Sequence, residues 1–283
     1  MTGQQLKEAL RKADIGGYAI PSFNYSDIWD FIAIVEAAEE ENAPVMIASN
    51  PLVVKAISVE ICGAIGKAAM EKAKIPLCHH LDHSFDVELC IDSIDNGYPS
   101  VMIDASKYNL ETNVAMVKEV VDYAHIRGVA VEGEIGRIKG KGIEGDFTGG
   151  DFLAQPADAA ELVAKTGLDS LAVGVGTAHG FYVNKPEINF ERLKEINDVV
   201  DVPLVLHGGT GVPEGDIKRA IQNGINKVNV GTIIHCTYMN SMRKELDRLG
   251  DNQYTLDIVK PVITGIKQVV KSWIRVCGIN GKA

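Results

Sequence analysis

The chain has 283 residues, a hydrophobic fraction of 46% and a formal net charge of −10, enough apolar material for the core of one large α/β domain. That charge argues against nucleic acid or an anionic membrane surface as the main partner. With no signal-peptide start and no apolar run of about twenty residues, a cytoplasmic protein is expected. Five cysteines, at 62, 78, 90, 236 and 277, include no C-x-x-C pair, so neither a disulfide framework nor a thiolate zinc knuckle is signalled.

Residues 3–13 predict a short amphipathic helix, after which strands and helices alternate. Tyr18–Asn24 predicts a first strand, and the apolar stripe Ile28, Phe31, Ile32, Val35, Ala38 a helix from about Asp27 to Glu41. Pro44–Ser49 predicts the second strand and 52–73 its helix. The third strand, Pro76-Leu-Cys-His-His-Leu-Asp-His83, carries three imidazoles and a carboxylate, groups that need a hydrogen-bond partner or a metal once they leave water. Ser84 is the expected N-cap of a helix ending at Asn96-Gly97. Ser100–Ser106 predicts the fourth strand, 110–128 a helix, and Val129–Ile135 the fifth strand.

Six glycines fall within Gly136–Gly150, too many for regular structure, and a long loop at a strand's C-terminal end is often a lid. A helix from about Pro156 to Thr166 leads into strand six, Ser170–Gly176. Pro203–His207 predicts strand seven, Asp216–Asn223 a helix, Lys227–Val230 strand eight, and 233–249 and 261–277 the last two helices. Eight short apolar strands of this kind fit a (β/α)8 TIM barrel spanning 1–283 as one domain, with an N-terminal helix and a C-terminal helical extension. A doubly wound sheet is disfavoured because no G-x-G-x-x-G follows the first strand.

In a barrel the C-terminal strand ends converge on one face, where active sites of this fold lie. Those ends carry Asn24, Ser49, Asp82, His83, Asp104, Ser106, Glu132, Glu134, His179, His207 and Asn229–Thr232. His83, His179 and His207, on three separate strands, are candidates for a three-imidazole metal site with an open position, the pattern of catalytic zinc. The alternative is three independent hydrogen-bonded histidines. Asp82 and His83 can serve one site only if the strand bends at its tip, because neighbours in a strand face opposite sides. His79 and His80 are expected in the core or behind the site. Gly208, Gly209, Thr210 and Gly211 after strand seven, with Asn229, Gly231 and Thr232 after strand eight and Gly180 after His179, predict a phosphate site.

These residues resemble the class II, metal-dependent ketose-bisphosphate aldolases, especially the tagatose- and fructose-bisphosphate branch. The likeness is carried by Phe23-Asn24, His80-Leu-Asp-His83, Val101-Met-Ile-Asp-Ala-Ser106, Val131-Glu-Gly-Glu-Ile-Gly136, Asp169-Ser-Leu-Ala-Val173, Gly176-Thr-Ala-His-Gly180, Val202-Pro-Leu-Val-Leu-His-Gly208 and Lys227-Val-Asn-Val230. It implies zinc on His83, His179 and His207, Glu134 associated with the metal, and Asp82 as the acid-base group. Glu144 matches the family's loop acid, and Asn24 and Ser49 are candidate substrate contacts. Where the family usually has a serine, Thr210 keeps the hydroxyl. Gly231-Thr-Ile233 lacks the carboxylate that many members carry there.

The implied reaction is reversible cleavage of a phosphorylated ketose, like fructose or tagatose 1,6-bisphosphate, into dihydroxyacetone phosphate and an aldehyde. Zinc would stabilise the enediolate, Asp82 would move the C4 hydroxyl proton, and Glu144 would exchange the proton at C3. A monovalent cation such as Na+ or K+ is a further candidate ion, and a homodimer or homotetramer the expected assembly. Arg137, Lys139, Lys141 and Arg275 are the cations that could meet an anionic aldehyde. Rival readings are a Schiff-base aldolase using Lys107, a metal-dependent hydrolase or isomerase, an aldolase for another ketose 1-phosphate with a different anionic aldehyde half, and a non-catalytic sugar-phosphate-binding relative.

Overall fold

Parallel strands close into a ring in the computed structural model, which describes residues 1–137, 139–140, 153–180, 187–250 and 254–283. In chain order the strands are β1 (Ile20–Asn24), β2 (Val45–Ser49), β3 (Leu77–Ser84), β4 (Ser100–Ile103), β5 (Ala130–Ile135), β6 (Lys139–Gly140), β7 (Ser170–Val173), β8 (Ala178–His179), β9 (Leu204–Leu206) and β10 (Ile225–Val230). The short β6 and β8 pair with each other, and the other eight form the barrel in the order β1-β10-β9-β7-β5-β4-β3-β2. Helices cross over outside the ring, so this is the expected (β/α)8 barrel. No helix among the described residues is long and apolar enough to cross a membrane.

Alternation along each strand sends one set of side chains into the ring and the other towards the helices. His80, Ser100, Glu132 and Lys227 are linked by hydrogen bonds across the ring and so face inwards. Met102, Ala172 and Val205, in step with them, make a small apolar cluster, while the main core lies between strands and helices. His79 faces the other way. A Cβ added at Gly66 of the helix Val59–Lys72 would lie 2.1 Å from its Nδ1, its ring stacks on Tyr98 at 4.1 Å, and its Nε2 is 3.2 Å from the Tyr25 hydroxyl.

That outer position makes His79 an acid-labile element. Burial pushes its pKa down to about 3, so the folded protein keeps the ring neutral, whereas the unfolded chain takes up a proton below about 6.5. The stability tied to His79 is therefore complete above that pH and is lost progressively as pH falls towards 3. Between pH 7 and pH 5 the loss is about 2 kcal/mol. Urea unfolding of His79→Gln, which has no proton to gain, should vary less over that interval than wild type. Parallel pH profiles for the two proteins would remove His79 from the account.

The helix Gly3–Gly16, opened by a Thr2 capping box, lies against the N-terminal end of the ring, where a Cβ on Gly3 would come 2.4 Å from the Gly128 carbonyl oxygen and 2.6 Å from the Ala130 nitrogen. The expected 52–73 helix is two, Pro51–Ile57 and Val59–Lys72, broken where Ser58 takes φ 92° and caps the second. Ser84 ends β3, and Asp86 caps the helix Val87–Asp95 instead. The final helix is longer than expected, Thr255–Val276, with Pro261 inside it. Val259, Val262, Ile266, Val270 and Ile274 form its buried stripe, which outweighs the backbone hydrogen bond that a proline cannot make.

Candidate active site

The site is organised by the tip of β3. Alternation would point Asp82 into the ring and His83 out of it. The β3–β4 register slips between Leu81 and Ser84, and His83 adopts a left-handed backbone, φ 46°, a conformation uncommon outside glycine. This bulge is the bend that the sequence required. Both side chains reach the same space, and both are buried.

Around them the other strands supply partners. His83 Nδ1 lies 3.1 Å from Asp104 and 3.9 Å from Glu134, while its Nε2 is 2.7 Å from His207 Nδ1. His207 Nε2 is 2.9 Å from Glu132. Each oxygen of the Asp82 carboxylate accepts an amide hydrogen, from Asn24 at 2.7 Å and from Asn229 at 2.9 Å. Burial tends to raise the Asp82 pKa, but the facing His83, His207 and Lys227 together with the Asn24 hydrogen bond outweigh it and hold the carboxyl down at about 2. Asn229 Oδ1 is buried without a hydrogen-bond partner, so it can accept from a bound hydroxyl.

The donor set fits a divalent cation. Asp82, His83 and His207 form one group, and His83, Asp104 and Glu134 a second, whose ligand atoms lie within 4.8 Å of one another. Asp82, Asp104, Glu132 and Glu134 are all buried, and Lys227 is the buried ammonium among them. Such an excess of enclosed negative charge is costly unless cations offset it. Nitrogen and carboxylate donors together suit zinc.

Beside this group the loops after β9 and β10 meet. The Gly209 N–H donates to the Asn229 carbonyl at 3.3 Å, and the Thr210 hydroxyl accepts the Ile233 N–H at 3.3 Å, at the start of the helix Thr232–Leu249. Gly208 and Gly211 take φ 68° and 87°. A Cβ at Gly208 would come 2.4 Å from the Ala178 carbonyl oxygen, and one at Gly231 2.9 Å from Asn24 Oδ1. A side chain at either position would collide with these neighbours. Backbone N–H groups beside a helix N-terminus are the means by which this fold holds phosphate. Gly180, at φ 89°, has open space where a Cβ would stand.

Not every expected residue joins the group. Ser49 pairs with Leu81 and faces the helices, its hydroxyl 2.8 Å from that of Tyr98. Arg275 is bound to Glu41, near the N-terminal end of β1 where the Cys277 carbonyl meets the Ala19 N–H. It is at the opposite end of the barrel from the site. The His179 backbone lies in β8, but its side chain, like Glu144 and Lys141, is outside the described residues. Lys107, the Schiff-base candidate, lies 5.0 Å over each of the Phe85 and Tyr108 rings. Among the described residues a lysine that does enter the barrel is Lys227, which the sequence places at the start of strand eight without a role and which the structure places inside β10. Its ammonium lies 2.6 Å from Glu132, so it is paired and no free amine nucleophile.

The family model of the class II fructose-bisphosphate aldolases matches residues 4–282. The YdjI aldolase of Escherichia coli K12 is similar at 33% identity and TM-score 0.87, over 98% of both chains. A protein of Coccidioides immitis described as a candidate fructose-1,6-biphosphate aldolase gives TM-score 0.89 at 29% identity, over 97% of this chain and 96% of that one. The fructose-bisphosphate aldolase of Campylobacter jejuni, at 21% identity, shares the fold with TM-score 0.83, over 100% of this chain and 97% of that one. Barrel, clustered strand-end residues and a match along nearly the whole sequence make this protein an aldehyde-lyase, and the chain belongs to the class II fructose-bisphosphate aldolase family.

Proposed function

We propose that this aldolase reversibly cleaves a ketose 1-phosphate between C3 and C4 into dihydroxyacetone phosphate and an anionic aldehyde. Zinc would be held by His83, His179 and His207, with Glu134 beside it. The observation that carries this reading is the bulge that turns His83 towards His207 next to a clamped Asp82. When bound, the ion supplies Lewis-acid stabilisation of the negative charge left when the carbon–carbon bond breaks.

Asp82 would take the proton of the C4 hydroxyl in cleavage and return it in condensation. The carboxylate is ionised and so able to take that proton, and the amides of Asn24 and Asn229 fix its plane. The free Asn229 Oδ1 would accept from a substrate hydroxyl. Gly180, Gly208 to Gly211 and Asn229 to Thr232 would bind the phosphate of the dihydroxyacetone half, and Glu144 would exchange its C3 proton. A cytoplasmic homodimer or homotetramer is the proposed working form, supported by Met239 and Leu246, apolar residues that the helix Thr232–Leu249 exposes, and by Tyr254, exposed just before the last helix.

The aldehyde half would meet Arg137, whose guanidinium donates to the Lys107 carbonyl at 2.7 Å, and the Lys107 ammonium itself. These cations follow β5 and β4 on the face that carries Asp104 and Glu134. Condensation of dihydroxyacetone phosphate with glyceraldehyde 3-phosphate, uncharged glyceraldehyde and a carboxylated aldehyde tests it. An anionic aldehyde should lead by about tenfold or more in kcat/KM, the scale of one charge-assisted hydrogen bond. If uncharged glyceraldehyde reacts best, the bisphosphate assignment is withdrawn.

A further inference from the structure

We propose that Lys227 and Glu132 are positioning residues that set the tautomer of His207, placing the ring hydrogen on Nε2 and a lone pair on Nδ1. The proposal rests on the reading of His207 as a metal ligand. It concerns a chain of buried groups beneath that ligand, running through the barrel from β4 to β9.

Lys227 is fully buried, and an enclosed ammonium survives only with acceptors around it. It has two. Its Nζ donates to Glu132 Oε2 at 2.6 Å and to His80 Nε2 at 3.3 Å. An ammonium has no lone pair, so His80 Nε2 is the acceptor and its ring hydrogen sits on Nδ1, 2.8 Å from the Ser100 hydroxyl. The tautomer of His80 thus follows from Lys227.

The same reasoning runs to the other side. Glu132 Oε2 is engaged by Lys227 and, at 3.4 Å, by the Ser170 hydroxyl. This anchors the carboxylate with Oε1 turned to His207 Nε2 at 2.9 Å. An ionised carboxylate only accepts, so Nε2 must be the nitrogen that carries hydrogen. Nδ1 is left with its lone pair, 3.3 Å from the Asn229 amide nitrogen and 2.7 Å from His83 Nε2. His83 is arranged in parallel, with Nδ1 on the Asp104 carboxylate at 3.1 Å. Two lone pairs would then face each other across a short gap. That arrangement is unfavourable alone and favourable around a shared cation. Carboxylates behind metal-binding imidazoles commonly have this orienting role, and losing one typically weakens metal binding 10- to 100-fold.

The test reads the tautomer and the metal affinity, not turnover alone. In the zinc-loaded wild-type protein, 15N NMR of labelled histidine should find the His207 hydrogen on Nε2. In Glu132→Gln, Lys227 takes the amide oxygen and the amide N–H2 turns to His207, so the hydrogen should move to Nδ1. Competition with a chromophoric chelator should then show zinc bound about 10- to 100-fold more weakly, and the visible spectrum of the Co2+-loaded variant should change. Lys227→Met, which frees the carboxylate to rotate, should weaken zinc in the same direction. Circular dichroism of each variant controls for folding. Should neither variant fold, the wild-type spectrum still decides, because hydrogen on His207 Nδ1 overturns the proposal. Wild-type protein that binds no zinc overturns the metal reading and this proposal together. Zinc bound equally by wild type and folded Glu132→Gln overturns this proposal alone.

Discussion

Treatment with a strong chelator should take aldol cleavage to background, and added zinc should restore it. His207→Ala should retain the fold, lose the metal and gain nothing from added zinc. Four enclosed carboxyls surround the site with Lys227 as their buried counter-charge, so the cleft is electrostatically built for a cation. The Lewis-acid contribution of such an ion is several kcal/mol, which corresponds to a loss of about 10³-fold or more in rate. Metal content per chain and release of dihydroxyacetone phosphate are the two measurements. His83→Ala should behave alike but less cleanly, since alanine is strained at φ 46°. Full activity in metal-free protein, or covalent trapping of substrate on Lys107 or Lys227 by borohydride, would mean that the chemistry runs through an imine.

Asp82→Ala should keep its zinc and still bind a ketose phosphate while turnover falls by about 10²- to 10⁴-fold, the range for a lost general acid-base group. Alanine is the informative replacement. Both carboxylate oxygens receive an amide hydrogen, from Asn24 and Asn229. Asparagine at 82 would set its own N–H2 against one of these donors and disturb both neighbours. The effect should lie in kcat with KM little changed, because Asp82 acts when the proton moves and not in holding the phosphate. Wild-type turnover in a zinc-replete Asp82→Ala protein would remove the residue from the mechanism.

How much of this was legible beforehand depends on the range over which the relevant contact acts. Barrel and strand-end polar residues could be read from the chain because period-2 and period-3.6 patterns are local, and because convergence at one face is a property of the closed ring itself. The final helix shows how far local rules reach. Its stripe was visible, but its start was not, because a proline usually marks a boundary and here burial of Val259 and Val262 carried the helix through Pro261.

The sequence by itself determined the eight-strand alternation, the candidate cluster of His83, His207 and Asp82, and the family. Only the tertiary structure decided which way these side chains point. His83 belongs to the wrong face by alternation and is turned inwards by a register slip against β4, a feature of the pairing between two strands. Ser49 follows alternation faithfully and is thereby sent to Tyr98, away from the site. Arg275 is assigned to the far end of the barrel by the direction in which its helix packs. The clamps on Asp82 come from residues 58 and 147 positions away, and Lys227 finds Glu132 across 95. No local pattern encodes such pairs. They are set by ring closure and shear, which bring particular inward positions of distant strands to the same height.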